Sequence, residues 1–168
     1  YPLETWFSKT TDKTRWQEMI YIKDDCLEEK EIQQLNTLLT HPHQREWGEG
    51  LVRELSTEHN IVQKIASFID DKKFADVEYC NITTYSKDSA MHFHKDAARD
   101  ETTGTSVTFI NDDFQGGQGV VEGVTIDPLV GRTYYFDGQK LRHGVLNVIK
   151  GERKVILIWY TNGKNNNN

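Results

Sequence analysis

The apolar residues of the first part of the chain are spaced as in helices. One stripe that repeats every three or four residues follows a capping box at Asp25 and Glu28, and predicts a helix that ends before Pro42. Ser56 is the expected cap of a second helix. Trp47 to Gly50, between them, is predicted to be a loop. The two apolar stripes consist of Leu27, Ile32, Leu35, Leu38 and Leu39, and of Ile61, Val62, Ile65, Ala66, Phe68 and Ile69.

From Val77 onward the apolar period changes to two, and Gly and Asp punctuate the pattern. Helices followed by strands favour an α+β fold, with the helices on one face of an antiparallel sandwich, over alternating βαβ units. No linker divides the chain, so we expect one domain over residues 1–168, with a core at about 77–161 and helical support at about 22–71. The predicted strands are 77–85, 91–95, 105–111, 119–126, 132–137, 143–149 and 153–161.

Composition narrows the possible partners and compartment. A net charge of -6 argues against a protein that binds nucleic acid through its phosphates. Cys26 and Cys80 match neither a zinc motif nor a disulfide framework, which favours a reducing compartment. The longest apolar run, Val155 to Tyr160, is too short to span a membrane, and the N-terminus lacks the apolar core of a signal peptide. We therefore expect a cytoplasmic protein with no membrane, nucleic-acid or obligate protein partner.

His94 and Asp96 are the strongest chemical signal. In an extended chain, residues two apart point to one side with Cα atoms roughly 6.5 Å apart, so both can bind one metal ion. With His143 as third ligand they form the two-histidine, one-carboxylate face typical of non-haem Fe(II) oxygenases. His92 lies on the same side but roughly 13 Å from Asp96. The metal ion can therefore be bound either by His92 and His94 or by His94 and Asp96. We favour the second pair because a carboxylate partly neutralises a divalent ion.

Arg153 follows His143 across a turn around Gly151. A two-residue hairpin would place the two side chains on opposite faces of one sheet. Both point inward if the loop has three residues, or if the chain crosses from one sheet of a sandwich to the other. An inward arginine needs an anion, either a dicarboxylic cosubstrate or an acidic side chain, because burying an unpaired guanidinium is costly. Trp159, six residues later, should face the same way as Arg153.

In this order the candidate residues resemble the Fe(II)- and 2-oxoglutarate-dependent dioxygenases, specifically their prolyl 4-hydroxylase-like branch. The resemblance extends over residues 77 to 161 and includes the spacing of nine residues from Tyr85 to His94. Its further motifs are Phe109-Ile-Asn111, Gly116-Gly117, Pro128-Leu-Val-Gly131 before Tyr135-Phe136, His143-Gly-Val145 and Gly151-Glu-Arg153.

The resemblance implies a double-stranded β-helix, a distorted jelly roll, with two N-terminal helices packed on one sheet. His94, Asp96 and His143 would be the catalytic iron ligands, and Arg153 and Tyr85 would bind 2-oxoglutarate. The implied reaction uses O2 and 2-oxoglutarate to hydroxylate a C–H bond, of a prolyl residue in a peptide or protein, and releases succinate and CO2. Ascorbate is a further candidate cofactor.

Two features bear on cosubstrate and substrate. Phe109 stands where some relatives have a tyrosine whose hydroxyl binds the far carboxylate of 2-oxoglutarate, and the candidates to replace that hydroxyl are Thr108, Thr133 and Tyr135. Trp159 is the candidate substrate-binding residue, at a mouth formed with the loops Ser86 to Ala90 and Ala97 to Gly104.

Other functions remain open on the sequence. The substrate could instead be a free amino acid or another small molecule. The same three metal ligands could serve a zinc hydrolase, which leaves Arg153 unexplained, or the chain could be a non-catalytic jelly-roll binding module. Nucleic-acid demethylating relatives are disfavoured because they carry a second arginine six residues after the first, where this chain has Trp159.

Overall fold

A computed structural model describes residues 4–7, 20–42, 45–96 and 101–162 of the chain. Over these ranges it contains two α-helices, α1 (Glu29–Leu39) and α2 (Asn60–Ser67), a short 3-10 helix (Lys72–Phe74) and fourteen β-strands. The strands are β1 Glu4–Phe7, β2 Ile20–Lys23, β3 Arg45–Trp47, β4 Gly50–Glu54, β5 Asp76–Tyr85, β6 Met91–His94, β7 Thr102–Phe109, β8 Gln115–Gly116, β9 Gly119–Val121, β10 Val124–Ile126, β11 Thr133–Phe136, β12 His143–Val145, β13 Val148–Lys150 and β14 Arg153–Thr161.

Two antiparallel sheets form the body of the described structure. The larger has the strand order β1-β2-β11-β7-β14-β5-β4-β3, and the smaller has the order β10-β9-β12-β6, while β8 and β13 pair separately. One apolar cluster lies between the helices and the larger sheet, and a second lies between the two sheets. The predicted α+β fold, a jelly roll with two helices on one sheet, is confirmed.

Strand β14 shows how the period-two pattern divides this core. Ile156 and Ile158 pack in the cluster that contains the helix residue Leu35, whereas Val155 and Leu157 pack in the cluster between the sheets. Each fully buried side chain of this size contributes roughly 1.5–3 kcal/mol, so the register of the strand is strongly specified. Residues of odd number in β14 consequently face the space between the sheets.

The helices begin later than the sequence patterns predict. Helix α1 has Glu28 as N-cap and a capping box between Glu28 and Glu31, while Asp25 has a positive φ of 59°. The cap of α2 is not Ser56 but His59, whose Nδ1 accepts a hydrogen bond of 3.2 Å from the Ile61 N–H. A glutamate and a histidine are unusual caps, which is why both were missed.

The segment predicted as a loop around Trp47 is a β-hairpin. Strands β3 and β4 meet at Gly48, whose φ of 58° suits glycine, and they extend the edge of the larger sheet next to β5. The prediction of a loop at Trp47 to Gly50 is therefore wrong, and this hairpin lies between the two helices. The three residues of β3 are all exposed, so this edge strand lacks the alternation that reveals a half-buried one.

Two other predicted strands are interrupted. A turn at Glu122 and Gly123, with φ of 44° and 76°, separates β9 from β10. The chain leaves the smaller sheet after Val145, and Val148 begins the strand that pairs with β8. Within the described ranges, no helix is long and apolar enough to cross a membrane.

Candidate active site

Three side chains with metal-binding atoms meet at the edge of the smaller sheet. His94 ends β6 and lies opposite His143, the first residue of β12. The Oδ1 atom of Asp96 is 3.1 Å from Nε2 of His143 and 3.4 Å from Nε2 of His94, and the three donor atoms lie within 4.8 Å of one another. The exposed His92 lies outside this group. The structure thus brings together the ligand set favoured from the sequence, and its occupation by iron remains a prediction.

Backbone carbonyls orient both imidazole rings of this group. Nδ1 of His94 is 2.8 Å from the His92 carbonyl oxygen, and Nδ1 of His143 is 2.8 Å from that of Leu141. Because a carbonyl only accepts, each Nδ1 donates, and the Nε2 atom of each ring faces Asp96. Two ring nitrogens and a carboxylate oxygen that lie within 4.8 Å of one another are a donor set that fits a divalent metal ion.

Asp96 is held in position by neighbours on two elements. Its N–H donates to the Gly138 carbonyl at 2.8 Å, and the Thr105 hydroxyl donates to its Oδ2 at 3.2 Å. Burial raises the pKa of the Asp96 carboxyl, but His143, His94 and Thr105 lower it by more, so the net pKa lies below its usual value. The group is therefore an ionised carboxylate at neutral pH.

The turn that follows β11 orients two members of the metal-binding group, which consists of His94, Asp96 and His143. Asp137 closes this turn, because its Oδ1 accepts from the backbone N–H groups of Gln139 at 3.1 Å and Lys140 at 3.2 Å. The turn carries the Gly138 carbonyl that receives the Asp96 N–H and the Leu141 carbonyl that fixes His143. Its geometry is consequently part of the site.

Gly138→Ala should weaken metal binding through Asp96. A Cβ at this position would collide with Oδ2 of Asp96 and approach Oγ1 of Thr105 to 2.9 Å, although the backbone of Gly138 is compatible with alanine. Since displaced outer-shell partners typically cost roughly 10–100-fold in metal affinity, we expect a loss in that range. Mn(II) titration by calorimetry measures it, with Lys140→Ala, an exposed position of the same turn, as the control. Unchanged affinity in Gly138→Ala would contradict this account of Asp96 positioning.

Arg153 lies across the cavity from the metal-binding group, at the start of β14 in the larger sheet. Its side chain is 2 % exposed, Nε donates to the Gly117 carbonyl at 2.8 Å, and the guanidinium carbon lies 5.3 Å from the ring centre of Phe109 and 5.7 Å from that of Tyr85. Among the described residues, no group accepts a hydrogen bond from its Nη2. A buried cation with an unused donor is costly, so this arrangement fits an anionic ligand.

The chain crosses between sheets on its way from His143 to Arg153. His143 belongs to β12 of the smaller sheet and Arg153 to β14 of the larger, with β13 between them. The crossing explains how both side chains face one cavity, and it excludes a simple hairpin. Asn111 fixes the start of β14, because its Nδ2 donates to the Glu152 carbonyl at 2.8 Å and its Oδ1 accepts from the Lys154 N–H at 2.9 Å.

A cavity connects Arg153 with the metal-binding group. Tyr85 pairs with Arg153 across the β5–β14 ladder and lines this cavity, as does Trp159. Trp159 is half-buried and packs against the rings of Trp47 and Tyr79, with centroids 5.6 Å and 5.4 Å away. The further lining residues include Thr83, Met91, Thr105, Val107, Val120, Tyr134, Phe136, Val145 and Leu157.

The structure excludes the hydroxyl groups proposed to replace that of the missing tyrosine. Thr108 and Thr133 bind each other at 2.7 Å, and Tyr135 donates to the Ile65 carbonyl at 2.6 Å. All three lie on the helix-facing side, because they alternate with the cavity-facing residues of their strands. The cavity hydroxyl on β11 is that of Tyr134, which was not predicted from the sequence. Tyr134 is two residues before Phe136, and residues two apart in a strand share a face, which was the available signal.

The predicted mouth is described in part. Ala90, Met91 and Phe93 line a surface cleft that also contains Trp47. A second cleft, with Thr102, Tyr79 and Trp159, also includes Trp47. Trp47 was not predicted from the sequence. The part of the predicted loop at positions 97–100 lies outside the described residues.

Comparison with known proteins gives one family and several structural neighbours. The 2OG-Fe(II) oxygenase superfamily profile matches residues 80–161. A Pseudomonas putida prolyl-4-hydroxylase superposes with a TM-score of 0.68 at 16% identity, covering 88% of this chain and 94% of that one. The viral collagen prolyl hydroxylase of Paramecium Bursaria Chlorella virus-1, solved with 2OG, gives 0.67 at 18% identity and coverages of 83% and 93%.

A third neighbour was solved with a peptide. A Trichoplax adhaerens prolyl hydroxylase in complex with a hypoxia inducible factor peptide fragment gives a TM-score of 0.65 at 17% identity, covering 85% of this chain and 83% of that one. No curated protein matches the sequence. At these identities the structural likeness shows the shared fold.

Proposed function

We propose that the chain, whose residues 80–161 match the 2OG-Fe(II) oxygenase superfamily, hydroxylates a prolyl residue in a peptide or protein. In this proposal residues 1–168 act as a single domain, with His94, Asp96 and His143 as iron ligands. Arg153 and Tyr85 bind 2-oxoglutarate, and Trp159 contacts the substrate. Succinate and CO2 are released.

The unsatisfied guanidinium of Arg153, opposite the metal-binding group, is the observation that carries this proposal. A dicarboxylic 2-oxoacid has one end that chelates a metal and another that carries a full negative charge. Arg153 meets that charge with donors in a planar fork, which suits a carboxylate. A zinc hydrolase would give this buried, partly unpaired arginine no ligand.

The chain positions and shelters the reactants. Iron and 2-oxoglutarate supply the oxidising chemistry when bound. The fixed Nδ1–H bonds of His94 and His143 keep both Nε2 atoms directed at one point, and Thr105 restrains Asp96. The apolar wall of Val107, Phe136, Val145 and Leu157 limits water around the reacting atoms.

The shape of the mouth favours a peptide over a small metabolite. Trp47 lies where two surface clefts meet the metal-site cavity, and it is 42% exposed. An extended chain can follow both clefts and place one side chain in the cavity between them. Aromatic rings, here Trp47, Tyr79 and Trp159, are the usual surfaces for proline-containing segments. The peptide bound by the Trichoplax adhaerens neighbour is consistent with this proposal.

Mass spectrometry tests the substrate directly. Fe(II)-loaded protein with O2 and 2-oxoglutarate is incubated with proline-containing peptides, and we expect a gain of one oxygen on proline in a 1:1 ratio with succinate. Matched peptides with alanine in place of proline, and Asp96→Ala protein, are the controls. Oxidation of free amino acids but not of peptides would establish the small-molecule alternative. A failure to bind or consume 2-oxoglutarate would refute the proposed function.

Trp159→Ala should impair peptide hydroxylation more than cosubstrate use. Central aromatic side chains at an interface often contribute about 2 kcal/mol or more, which predicts a loss of roughly thirtyfold in kcat/KM for the peptide. Uncoupled 2-oxoglutarate turnover should change little because Trp159 lies at the mouth beside Trp47. Leu129→Ala, which changes another exposed apolar residue in the segment between β10 and β11, serves as control. Equal loss of both activities would assign Trp159 to the core.

A further inference from the structure

We infer that Tyr134 donates the second hydrogen bond to the far carboxylate of 2-oxoglutarate, in place of the hydroxyl that Phe109 lacks. The inference rests on the proposed function, because it deepens the assignment of the cosubstrate subsite around Arg153. It names a residue of β11 that no family motif of this chain includes. Tyr134 would then help to decide which 2-oxoacid the site accepts.

The position of Tyr134 places its hydroxyl at the anion end of the cavity. Its ring lies 6.0 Å from the Phe109 ring and 5.7 Å from the Phe136 ring, on the face of β11 opposite to Tyr135. The side chain is only 3% exposed, yet it lines the cavity that contains Arg153 and the metal-binding group. Its phenol therefore lies within the site, buried from bulk water.

A glycine on the opposite sheet makes room for this hydroxyl. A Cβ at Gly119 of β9 would collide with the hydroxyl oxygen and the adjoining ring carbon of Tyr134. The phenol thus reaches across the cavity from the larger sheet to the smaller one. Gly117, two residues earlier, supplies the carbonyl that anchors Arg153. Both glycines therefore approach this subsite closely, Gly117 at the Arg153 side chain and Gly119 at the Tyr134 hydroxyl.

The pairing with Arg153 leaves the Tyr134 proton available. Burial raises the pKa of Tyr134, while the charge of Arg153 and a hydrogen bond from it act in the opposite direction and leave the pKa above its ordinary value. The phenol is therefore protonated at neutral pH. A guanidinium has donors only and cannot accept from Tyr134, so the hydroxyl hydrogen beside Arg153 is free to donate to an anion.

Phe109 and Tyr134 divide two tasks between them. Phe109 is fully buried and offers the guanidinium an aromatic face at 5.3 Å, but it has no polar atom to give to a ligand. Tyr134 lies diagonally across the β7–β11 ladder from Phe109, since it pairs with Val107. Phe109 on β7 thus lacks a hydroxyl, and Tyr134 on the neighbouring strand β11 can supply one to the far carboxylate of 2-oxoglutarate.

The test measures 2-oxoglutarate binding without turnover. Wild-type and Tyr134→Phe proteins are loaded with Mn(II) and titrated anaerobically with 2-oxoglutarate by calorimetry. Because a hydrogen bond to a charged group is typically worth tenfold or more, we expect roughly a tenfold to hundredfold weaker affinity in Tyr134→Phe. Pyruvate, which has the metal-chelating 2-oxoacid but no far carboxylate, should bind both proteins equally well.

Tyr135→Phe is the matched control, because it removes a phenol hydroxyl from the same strand on the helix-facing side. It should lose thermal stability but keep 2-oxoglutarate affinity. Gly119→Ala, which displaces the Tyr134 hydroxyl without removing it, should weaken 2-oxoglutarate selectively. Equal 2-oxoglutarate affinity in wild type and Tyr134→Phe would overturn the inference and leave the proposed function intact. Absence of 2-oxoglutarate binding by Mn(II)-loaded wild type would overturn both.

Discussion

Replacing Asp96 by alanine is expected to abolish metal binding and succinate formation, whereas replacing His92 by alanine should leave both largely intact. Asp96 is the only charged member of the group, and its Oδ1 lies within 3.4 Å of both Nε2 atoms. Without it, two neutral imidazoles would have to hold a divalent ion alone. The loss should exceed the roughly 10–100-fold typical of outer-shell partners, since a direct ligand is removed.

Thermal denaturation with and without Mn(II) measures this effect, because a ligand that binds only the folded state raises the free energy of unfolding. Wild-type and His92→Ala proteins should show a metal-dependent rise in Tm, and Asp96→Ala should show none. Asp96→Asn, which keeps the shape but loses the charge, should lie between alanine and wild type. Metal retention by Asp96→Ala together with metal loss in His92→Ala would assign the site to the two neighbouring histidines instead.

Arg153→Ala should weaken 2-oxoglutarate binding by about 2 to 5 kcal/mol, or roughly thirtyfold to several thousandfold. The guanidinium is nearly inaccessible to bulk solvent, so the carboxylate left behind would be desolvated without a cation. Arg153→Lys keeps the charge but loses the planar fork and should give an intermediate affinity. Anaerobic titration of the Mn(II)-loaded proteins provides the three affinities.

Two controls keep this result interpretable. Metal affinity should be unchanged in Arg153→Ala, because the two histidines lie on the other sheet and the described structure shows no hydrogen bond or ion pair between Arg153 and Asp96. Lys154→Ala, the adjacent and more exposed position of β14, should bind 2-oxoglutarate like the wild type. An Arg153→Ala protein that is folded, retains its metal and binds 2-oxoglutarate as tightly as the wild type would contradict the assignment.

The core strands and the metal-binding group were accessible from the sequence because each depends on short-range rules. Strand alternation alone predicts that His94 and Asp96 share a side, and β14 has the bounds that its pattern predicts. The positions of His143 and Arg153 also restricted the possible architectures. A two-residue hairpin between them would place the two side chains on opposite faces of one sheet. These inferences need only the period of an extended chain and the cost of an unpaired charge.

The features that the sequence did not reveal depend on contacts between distant segments. The hairpin of Trp47 is an exposed edge whose residues carry no apolar alternation. Tyr134 and Tyr135 are adjacent tyrosines. Only the register of β11 against β7 shows which of them faces the cavity and which faces the helices. The role of Gly138 follows from a turn that carries its carbonyl to Asp96. Local sequence patterns do not specify these contacts between segments that are far apart in the sequence.

The division of the site between two sheets has a consequence for cosubstrate length. His94 and His143 lie on β6 and β12 of the smaller sheet and Arg153 on β14 of the larger, so a molecule held at both ends bridges the gap between the sheets. That gap is set by the apolar side chains that separate the sheets, among them Val107, Val121 and Leu141. A shorter or longer dicarboxylate could reach either the metal-binding group or Arg153 but would fit the second of them poorly. We therefore expect the spacing of the two sheets to contribute to selectivity for a five-carbon diacid, in addition to the direct contacts of Arg153 and Tyr134.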